Sequence, residues 1–520
     1  FNSRTNQGLR TFLDRTWEDK IKYEYCLIYD LGLTHMTNVI SDFNGVTPTI
    51  KFSSNGLDGK ALESFMIQLL NLSIFVPKSI TLDIEVKNSY LNAEEAKEEV
   101  ACCSLYYDDG SNQKREILGV TNFPIEEMFN DKEGNVINIV LFETEKQMIE
   151  YIFKQIDITP FVFSFNGDSY DLLYLYHRAK ILDIKDIPII VESAWSNKVT
   201  CKLRNSVHID VVKIFRSRMF DYAYPGIAKD RSLDNLSKTI LKEGKMDYVP
   251  AEIFDIDLAQ YCWNDSRLTH NLLSIDKWLL WTMVVYLCRL YNVSMMDLTR
   301  STPVPLSERM FQYYHRLFNY LIPNKDYFEE KSRLPIPKPK GSGKFRAAYI
   351  DSRPGVYFDV YVLDYKSLYP TIIATRNISY ETIACNHEEC KSNIVPNHTW
   401  HICRKNKGIM SVCIGAIRNV RVVFRDLGKK DESAKTKAQT LKMCLLQLWG
   451  VIASEYFEYY LLPQASAITG LSSDTIQNAD KVATEFGYLN IYTHTDSLFL
   501  KHNVNVKMNP KELAEYLTKV

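Results

Sequence analysis

Three observations predict a multidomain chain of mixed α/β and α+β class. The chain has 520 residues, of which 46% are hydrophobic and 24% charged. That is ordinary globular composition at a length that suggests two to four domains. From Ser79 to about Leu290, short apolar strand-like runs alternate with amphipathic helical patterns, the order expected of an α/β domain. The C-terminal part instead reads as a strand at Val360–Asp364, two long helical patterns near 411–429 and 433–458, and a strand hairpin near 489–500.

Composition excludes some classes and leaves others open. The longest apolar run, Trp278 to Cys288, is too short to span a bilayer, and no secretory signal opens the chain. Because Phe1 is not a methionine, the sequence is expected to start inside a longer protein. Eleven scattered cysteines fit a reducing compartment with mostly free thiols. The formal net charge of −1 neither supports nor excludes nucleic acid, since net charge can hide a local basic groove. Residues 1–78 mix short strand-like and helical stretches without obvious chemistry, and 291–345 look helical before loosening into the Pro/Gly/Lys stretch Leu334–Lys344. That stretch reads as a linker, lacking the glycine spacing and Ser/Thr of a phosphate loop.

The first chemical signal is Ile80-Thr-Leu-Asp-Ile-Glu-Val86. Period-two alternation places Leu82, Ile84 and Val86 on one strand face and Asp83 and Glu85 on the other. Two neighbouring acids on a strand repel unless solvent or a cation lies between them. Alone, the pair reads most simply as an exposed strand face. Two later segments change the balance. In Phe161-Val-Phe-Ser-Phe-Asn-Gly-Asp-Ser-Tyr-Asp171 an apolar strand ends at an Asn-Gly turn before a helix. Asp168 reads as its N-cap, which puts Asp171 in the first helical turn. In Tyr261-Cys-Trp-Asn-Asp265, Tyr261 and Asp265 are four apart and share a helix face. Four acids and a tyrosine match what two-metal phosphodiester hydrolysis needs: carboxylates holding two divalent ions about 4 Å apart, and a hydroxyl to orient the attacking water.

These three segments, in this order, resemble the three exonuclease motifs of the DnaQ-like proofreading domain of family B DNA polymerases. His208-Ile-Asp210 and Ser232-Leu-Asp234 resemble the intervening segments. The resemblance implies that Asp83, Glu85, Asp171 and Asp265 ligate metal and that Tyr261 serves catalysis.

A second set of motifs follows. Val362-Leu-Asp-Tyr-Lys-Ser-Leu-Tyr-Pro-Thr-Ile-Ile373 reads as a strand ending at Asp364 and a turn into a helix. It is similar to motif A of the same family, Asp-x-x-Ser-Leu-Tyr-Pro-Ser. The likeness implies that Asp364 holds catalytic magnesium, that the backbone at Ser367 and Leu368 contacts the incoming triphosphate, and that Tyr369 excludes a 2′-hydroxyl. Arg421 and Arg425 are four apart on one helical face; Lys442, Leu446, Trp449 and Gly450 share a face of the next. Cations so placed suit phosphoryl transfer, which depends mainly on positioning and charge neutralisation. Lys442-Met-Cys-Leu-Leu-Gln-Leu-Trp-Gly450 departs from motif B, Lys-x-x-x-Asn-Ser-x-Tyr-Gly, in having Leu446 for asparagine and Trp449 for tyrosine. Tyr492-Thr-His-Thr-Asp-Ser497 departs from motif C, Tyr-Gly-Asp-Thr-Asp-Ser. Asp496 keeps the metal-bridging acid, while His494 replaces the first acid and is a poorer magnesium ligand than carboxylate. Weakened, not abolished, polymerisation is the expectation.

Cys385, His387, Cys390, His398, His401 and Cys403 crowd one short segment. Cys385, Cys390 and Cys403, with a histidine such as His401 as fourth, could supply structural zinc; a surface insertion with reduced cysteines is the simpler alternative. A cysteine-rich insertion here looks most like archaeal replicative members of the family.

The resemblance implies six parts: a partial N-terminal domain (1–78), an RNase H-like 3′→5′ exonuclease (79–290), a helical connector and linker (291–345), palm with motif A (346–384), fingers with the Cys/His insertion (385–480), and palm with motif C on an antiparallel sheet (481–520). The thumb, which should follow, would be truncated. Implied substrates are primer–template DNA and dNTPs, with two Mg²⁺ per active site and Mn²⁺ as a substitute. A sliding clamp would bind through the missing C-terminal part. No membrane is implied; the location would be cytoplasmic and nucleoid-associated, or nuclear in a eukaryote. Two rivals remain: a polymerase-weakened, exonuclease-dominant paralogue, and a non-catalytic DNA-binding replisome component.

Overall fold

In the computed structural model, all residues are described except 1–20, 38, 43–44, 90–91, 121–125, 194–198, 218–219, 221–223, 225, 228, 250–251, 324, 338–348, 504–505 and 519–520. Most of the Pro/Gly/Lys stretch therefore lies outside the described residues. The chain divides into two compact units. One comprises Phe1–Leu72, Arg289–Asn292 and Pro303–Val520, the other Ser73–Cys288 and Val293–Thr302. Within the first, β1 (Val39–Asp42) and β2 (Gly45–Pro48) form an antiparallel pair.

The second unit is built on β3 (Ser79–Val86), β4 (Val100–Asp108), β5 (Gln113–Val120), β6 (Met128–Asn130), β7 (Val136–Phe142), β8 (Phe161–Ser164) and β11 (Val207–Asp210), in the sheet order β11-β8-β3-β4-β5-β7-β6. A separate antiparallel pair joins β9 (Ile189–Ser193) and β10 (Val199–Leu203). β3 lies between antiparallel β4 and parallel β8, whose pairing ends at Thr81, so its acids sit on a central strand just past the end of β8. The alternation read in the sequence is kept: Leu82, Ile84 and Val86 are buried in a core with Met148, Ile149, Ile152, Phe153 and Ile156. Those five recur along one face of the helix Glu145–Ile158, whose start is fixed by a Thr144/Gln147 capping box. A bidentate Arg178–Glu145 pair, 2.8 and 2.7 Å, ties this helix to Asp171–Ile181. A second core, with Tyr106, Ile117, Leu258, Cys262 and Trp263, packs the helix Ile256–Tyr291 on the sheet's other side. That helix is interrupted at Ile275–Trp278, where the backbone leaves helical geometry and three residues take positive φ.

In the first unit, β12 (Ile350–Ser352), β13 (Val360–Asp364), β14 (Tyr488–His494) and β15 (Ser497–His502) form an antiparallel sheet ordered β12-β14-β15-β13. Tyr488, Leu498 and Leu500 pack on Ile476, Ala479 and Ala483 of the helix Leu462–Glu485. The helix Leu368–Thr375 follows β13 directly. The two long helical patterns are Ile409–Leu427 and Glu432–Ile452, packed together. The second ends six residues earlier than its pattern predicts, and Leu462–Glu485 begins after a short turn region. Among the described residues no helix is long and apolar enough to cross a membrane.

Candidate functional site

On β3, Asp83 and Glu85 face away from the core, and Asp265 reaches them from the helix Ile256–Tyr291; one carboxylate oxygen from each lies within 4.8 Å of the others. Asp171 opens the helix Asp171–Ile181, and its Oδ1 accepts the Ile84 N–H at 3.2 Å, so this fourth acid is pinned between the first two along the strand. Burial, reinforced by Asp171, Asp265 and Glu85, holds the Asp83 carboxyl well above the usual range. Burial and Asp265 push Glu85 up to about 8. Asp171 rises to about 7, burial outweighing its backbone hydrogen bonds. Asp265 is raised by burial against the pull of Lys245, whose Nζ stands 2.5 Å from Oδ2. Asp265 Oδ1 is buried without a hydrogen-bond partner. Repelling acids around an unsatisfied oxygen are the donor set that a divalent cation satisfies. Tyr261 lies beside them, with Lys245 Nζ 5.4 Å from its ring centre, and burial raises its hydroxyl to about 12.

Two departures from the sequence reading belong here. Asp168 is not the N-cap of the helix; that position is Tyr170, which makes no side-chain capping bond. Asp168 is instead fully buried. It accepts Arg300 Nε at 2.9 Å and Nη2 at 3.1 Å and the Cys201 N–H at 2.9 Å, and pairs with Lys213. Although burial alone would raise it, hydrogen bonds from His208 and Arg300 keep this carboxyl far below its ordinary value. Asp210 takes over the turn by accepting the Asn166 and Asp168 N–H groups. The turn stays tight because a Cβ on Gly167 would fall 2.1 Å from Ser164 Oγ. The second departure is Lys245, the cation of the cluster, which the motif reading missed.

The second acidic site lies on the four-stranded sheet. Asp364 ends β13 and accepts Ser497 Oγ at 2.6 Å; Asp496 sits in the β14–β15 turn, and its carbonyl accepts the Tyr365 N–H at 2.9 Å. Burial, then the charge of Asp364, raises Asp496. Thr495 makes the turn with φ +55°. Register places Ile350, His494, Ser497 and Asp364 in one cross-strand row. His494 thus shares a sheet face with Asp364 but stands two strands away, about 10 Å between Cβ atoms at about 5 Å per strand.

Two models of one family cover most of the chain: DNA polymerase family B, exonuclease domain, matches residues 72–233, and DNA polymerase family B matches residues 318–520. The chain belongs to the family B DNA polymerases. It is 29% identical to DNA polymerase 1 of Sulfolobus acidocaldarius over 98% of this chain and 61% of that protein. It is 30% identical to DNA polymerase 1 of Aeropyrum pernix over 71% of this chain and 39% of that protein. The chain therefore spans less than two thirds of these curated relatives. The fold is like that of the family B DNA polymerase from Pyrobaculum calidifontis, with TM-score 0.67 and 16% identity, over 99% of this chain and 65% of that one.

Of the other residues singled out in the sequence, Ser367 meets Arg421 and Tyr369 meets Trp449. Ser367 precedes the helix Leu368–Thr375 in left-handed backbone, φ +56°, and its hydroxyl accepts Arg421 Nη1 at 2.7 Å. Leu368 is buried, and the ring of Tyr369 lies 5.5 Å from that of Trp449. Burial, then Asp496, raises the Tyr369 hydroxyl to about 12. Arg425 pairs with its neighbour Asp426 at 3.2 Å. Arg418, missed in the sequence, donates Nε to Thr371 Oγ1 at 2.8 Å; it completes an i, i+3, i+7 stripe with Arg421 and Arg425. On Glu432–Ile452, Lys442, Leu446 and Gly450 are exposed and Trp449 is half-buried, while Leu441, Met443, Cys444, Leu445 and Leu448 face the core. Trp449 Nε1 is buried without a partner. In the Cys/His segment the structure brings together Cys385, His387, Cys390 and Cys403, not the His401 of the sequence reading. His401 lies in a bridge opposite Ile394, and its Nε2 meets the Cys385 carbonyl at 3.0 Å.

Proposed function

We propose that this chain carries the polymerising and proofreading centres of a template-directed DNA polymerase that extends primer–template DNA with dNTPs and removes mismatched 3′ ends. The observation that carries the reading is two carboxylate sites in one chain, one on β3 and one at the end of β13, each on a segment that resembles a family motif. Residues 79–290 are read as the exonuclease and those around motifs A to C as palm and fingers.

Two Mg²⁺ ions at each site, replaceable by Mn²⁺ and held by Asp83, Glu85, Asp171 and Asp265 or by Asp364 and Asp496, would activate the attacking oxygen and neutralise the leaving one. The chain's own residues do the rest. Lys245 orients Asp265, and Tyr261 positions the attacking water by hydrogen bonding. At the second site, Arg421 holds Ser367 so that the backbone at Ser367 and Leu368 can meet triphosphate oxygens. Arg421, Arg425 and Lys442 offer the positive charge that positions those oxygens. Tyr369, backed by Trp449, presents its ring where a ribose 2′-hydroxyl would collide.

Primer extension and single-strand degradation by the full-length protein with Mg²⁺ test the reading. Both activities are expected. Degradation without any extension would favour the second reading, an exonuclease-dominant paralogue, for which His494 in place of an acid is the specific support.

A further inference from the structure

The segment between the helices Leu368–Thr375 and Ile409–Leu427 belongs to neither carboxylate site, yet it gathers four soft ligands. One atom each from Cys385, His387, Cys390 and Cys403 lies within 4.8 Å of all the others. Cys390 Sγ is 3.9 Å from Cys403 Sγ, which is 3.4 Å from His387 Nδ1. Tetrahedral zinc, with Zn–S about 2.3 Å and Zn–N about 2.0–2.1 Å, requires S···S edges of about 3.8 Å and S···N edges of about 3.6 Å. The two distances lie within about 0.2 Å of these edges. The backbone is also arranged for thiolates: the Arg404 N–H donates to Cys390 Sγ at 3.2 Å and the Asn406 N–H to Cys403 Sγ at 3.3 Å. Donors aimed at sulfur favour the anionic, metal-binding form.

We propose that Cys385, His387, Cys390 and Cys403 bind one Zn²⁺ in a structural Cys₃His site. His401 is a supporting group, its Nε2 lying 3.0 Å from the Cys385 carbonyl and 3.5 Å from Cys385 Sγ. A polynuclear iron–sulfur cluster would interpose its own atoms between the thiolates and need a wider cage. A Cys390–Cys403 disulfide would need those sulfurs to close to about 2.05 Å and would leave Cys385 and His387 without a purpose.

The site braces a joint. Asn377, just past the helix that carries Tyr369, donates Nδ2 to the Cys403 and Asn406 carbonyls at 2.9 and 2.8 Å and accepts the Gly408 N–H at 2.9 Å. Glu381 Oε1 accepts the Ile409 N–H at 2.5 Å, at the start of the helix that carries Arg421. Zinc would fix the knuckle to which both helices are tied.

The test is elemental analysis of the full-length protein purified with reductant from zinc-supplemented cells, together with a thermal melt. One zinc per chain is expected, its removal by chelator lowering Tm by about 5 °C. His387→Ala and Cys403→Ser should lose the metal, and His401→Ala should keep it. Should the ligand variants not fold, Co²⁺ loaded into the stripped wild type gives a second readout, the visible bands of a tetrahedral thiolate site. Wild type without zinc, an intact mass showing a Cys390–Cys403 disulfide, zinc retained by His387→Ala but lost by His401→Ala, or Co²⁺ lacking those bands would each overturn the proposal.

Discussion

The acids on β3 and those at the ends of β13 and β14 occupy opposite electrostatic settings. The first cluster lies on the central strand of a sheet, with Asp171 and Asp265 buried and Asp83 and Glu85 half-buried beside them, and among the described residues one lysine, Lys245, pairs with Asp265. The second lies at a hairpin end, where Asp364 is exposed and hydrogen-bonded to Ser497 and Asp496 stands in the turn. A buried set needs positive charge from outside to be stable as anions; an exposed pair is already served by water. The comparison teaches that similar groups of acids can be held either by burial or by strand register. The two sites should therefore fail differently.

The largest expected effect is on the buried set. Asp83→Ala with Glu85→Ala removes half of its acids, and Mg²⁺-dependent degradation of single-stranded DNA should fall about 10³-fold, the loss of roughly 4 kcal/mol of barrier lowering. Degradation at the wild-type rate would show that these acids are not the metal site. Next is Tyr369→Ala, which tests whether the exposed site selects its sugar by shape. Discrimination between dNTPs and rNTPs should drop about 10- to 200-fold, and unchanged discrimination would remove that role.

A smaller effect is read in stability against pH. Burial and repulsion raise Glu85 to about 8 and Asp171 to about 7 when no cation is bound. From the ordinary carboxylate range near about 4 up to pH 8, the folded chain then holds more protons than the unfolded one. Metal-free stability should accordingly fall as pH rises through that window, and the Tm gain from saturating Mg²⁺ should grow from pH 5 to pH 8. Lys245→Met should steepen the fall. A gain independent of pH would contradict the burial account.

The smallest expected effect is at His494. Because register sets it about 10 Å from Asp364, a carboxylate there acts at long range, worth about 0.4 kcal/mol in water and about 1.7 kcal/mol at an effective dielectric of 20. His494→Asp should raise single-nucleotide extension about two- to twentyfold, less at high salt. A hundredfold rise would mean direct metal contact and a different local geometry.

Much of this was legible in the sequence because it is written in short periods. The alternation at Ile80–Val86, the strand ending at Asp364 and the shared face of Tyr261 and Asp265 all depend on neighbours within a turn or a pleat. What escaped depends on chain-distant contacts. Lys245 is twenty residues before Asp265, and Arg300 is more than a hundred after Asp168. Asp168 carried the right residue type for a cap, but the half-buried Arg300 and Lys213 claimed its carboxylate first. The helix Leu462–Glu485 buries Gln464, Ser466, Thr469 and Ser472 among Ile468, Ile476, Ala479 and Ala483, so its apolar stripe is interrupted by polar residues. His387 and His401 were equivalent by spacing, and only the fold of the knuckle separates them.

The central claim is that one chain holds two independent phosphoryl-transfer sites. The most direct test follows a labelled primer on a template, with Mg²⁺ and dNTPs and then without dNTPs, using full-length wild type, Asp83→Ala/Glu85→Ala and Asp496→Ala. Reciprocal loss is predicted: the double variant extends but does not shorten the primer, and Asp496→Ala shortens but does not extend it. Extension that survives Asp496→Ala, or both activities vanishing together in either variant, would contradict the account.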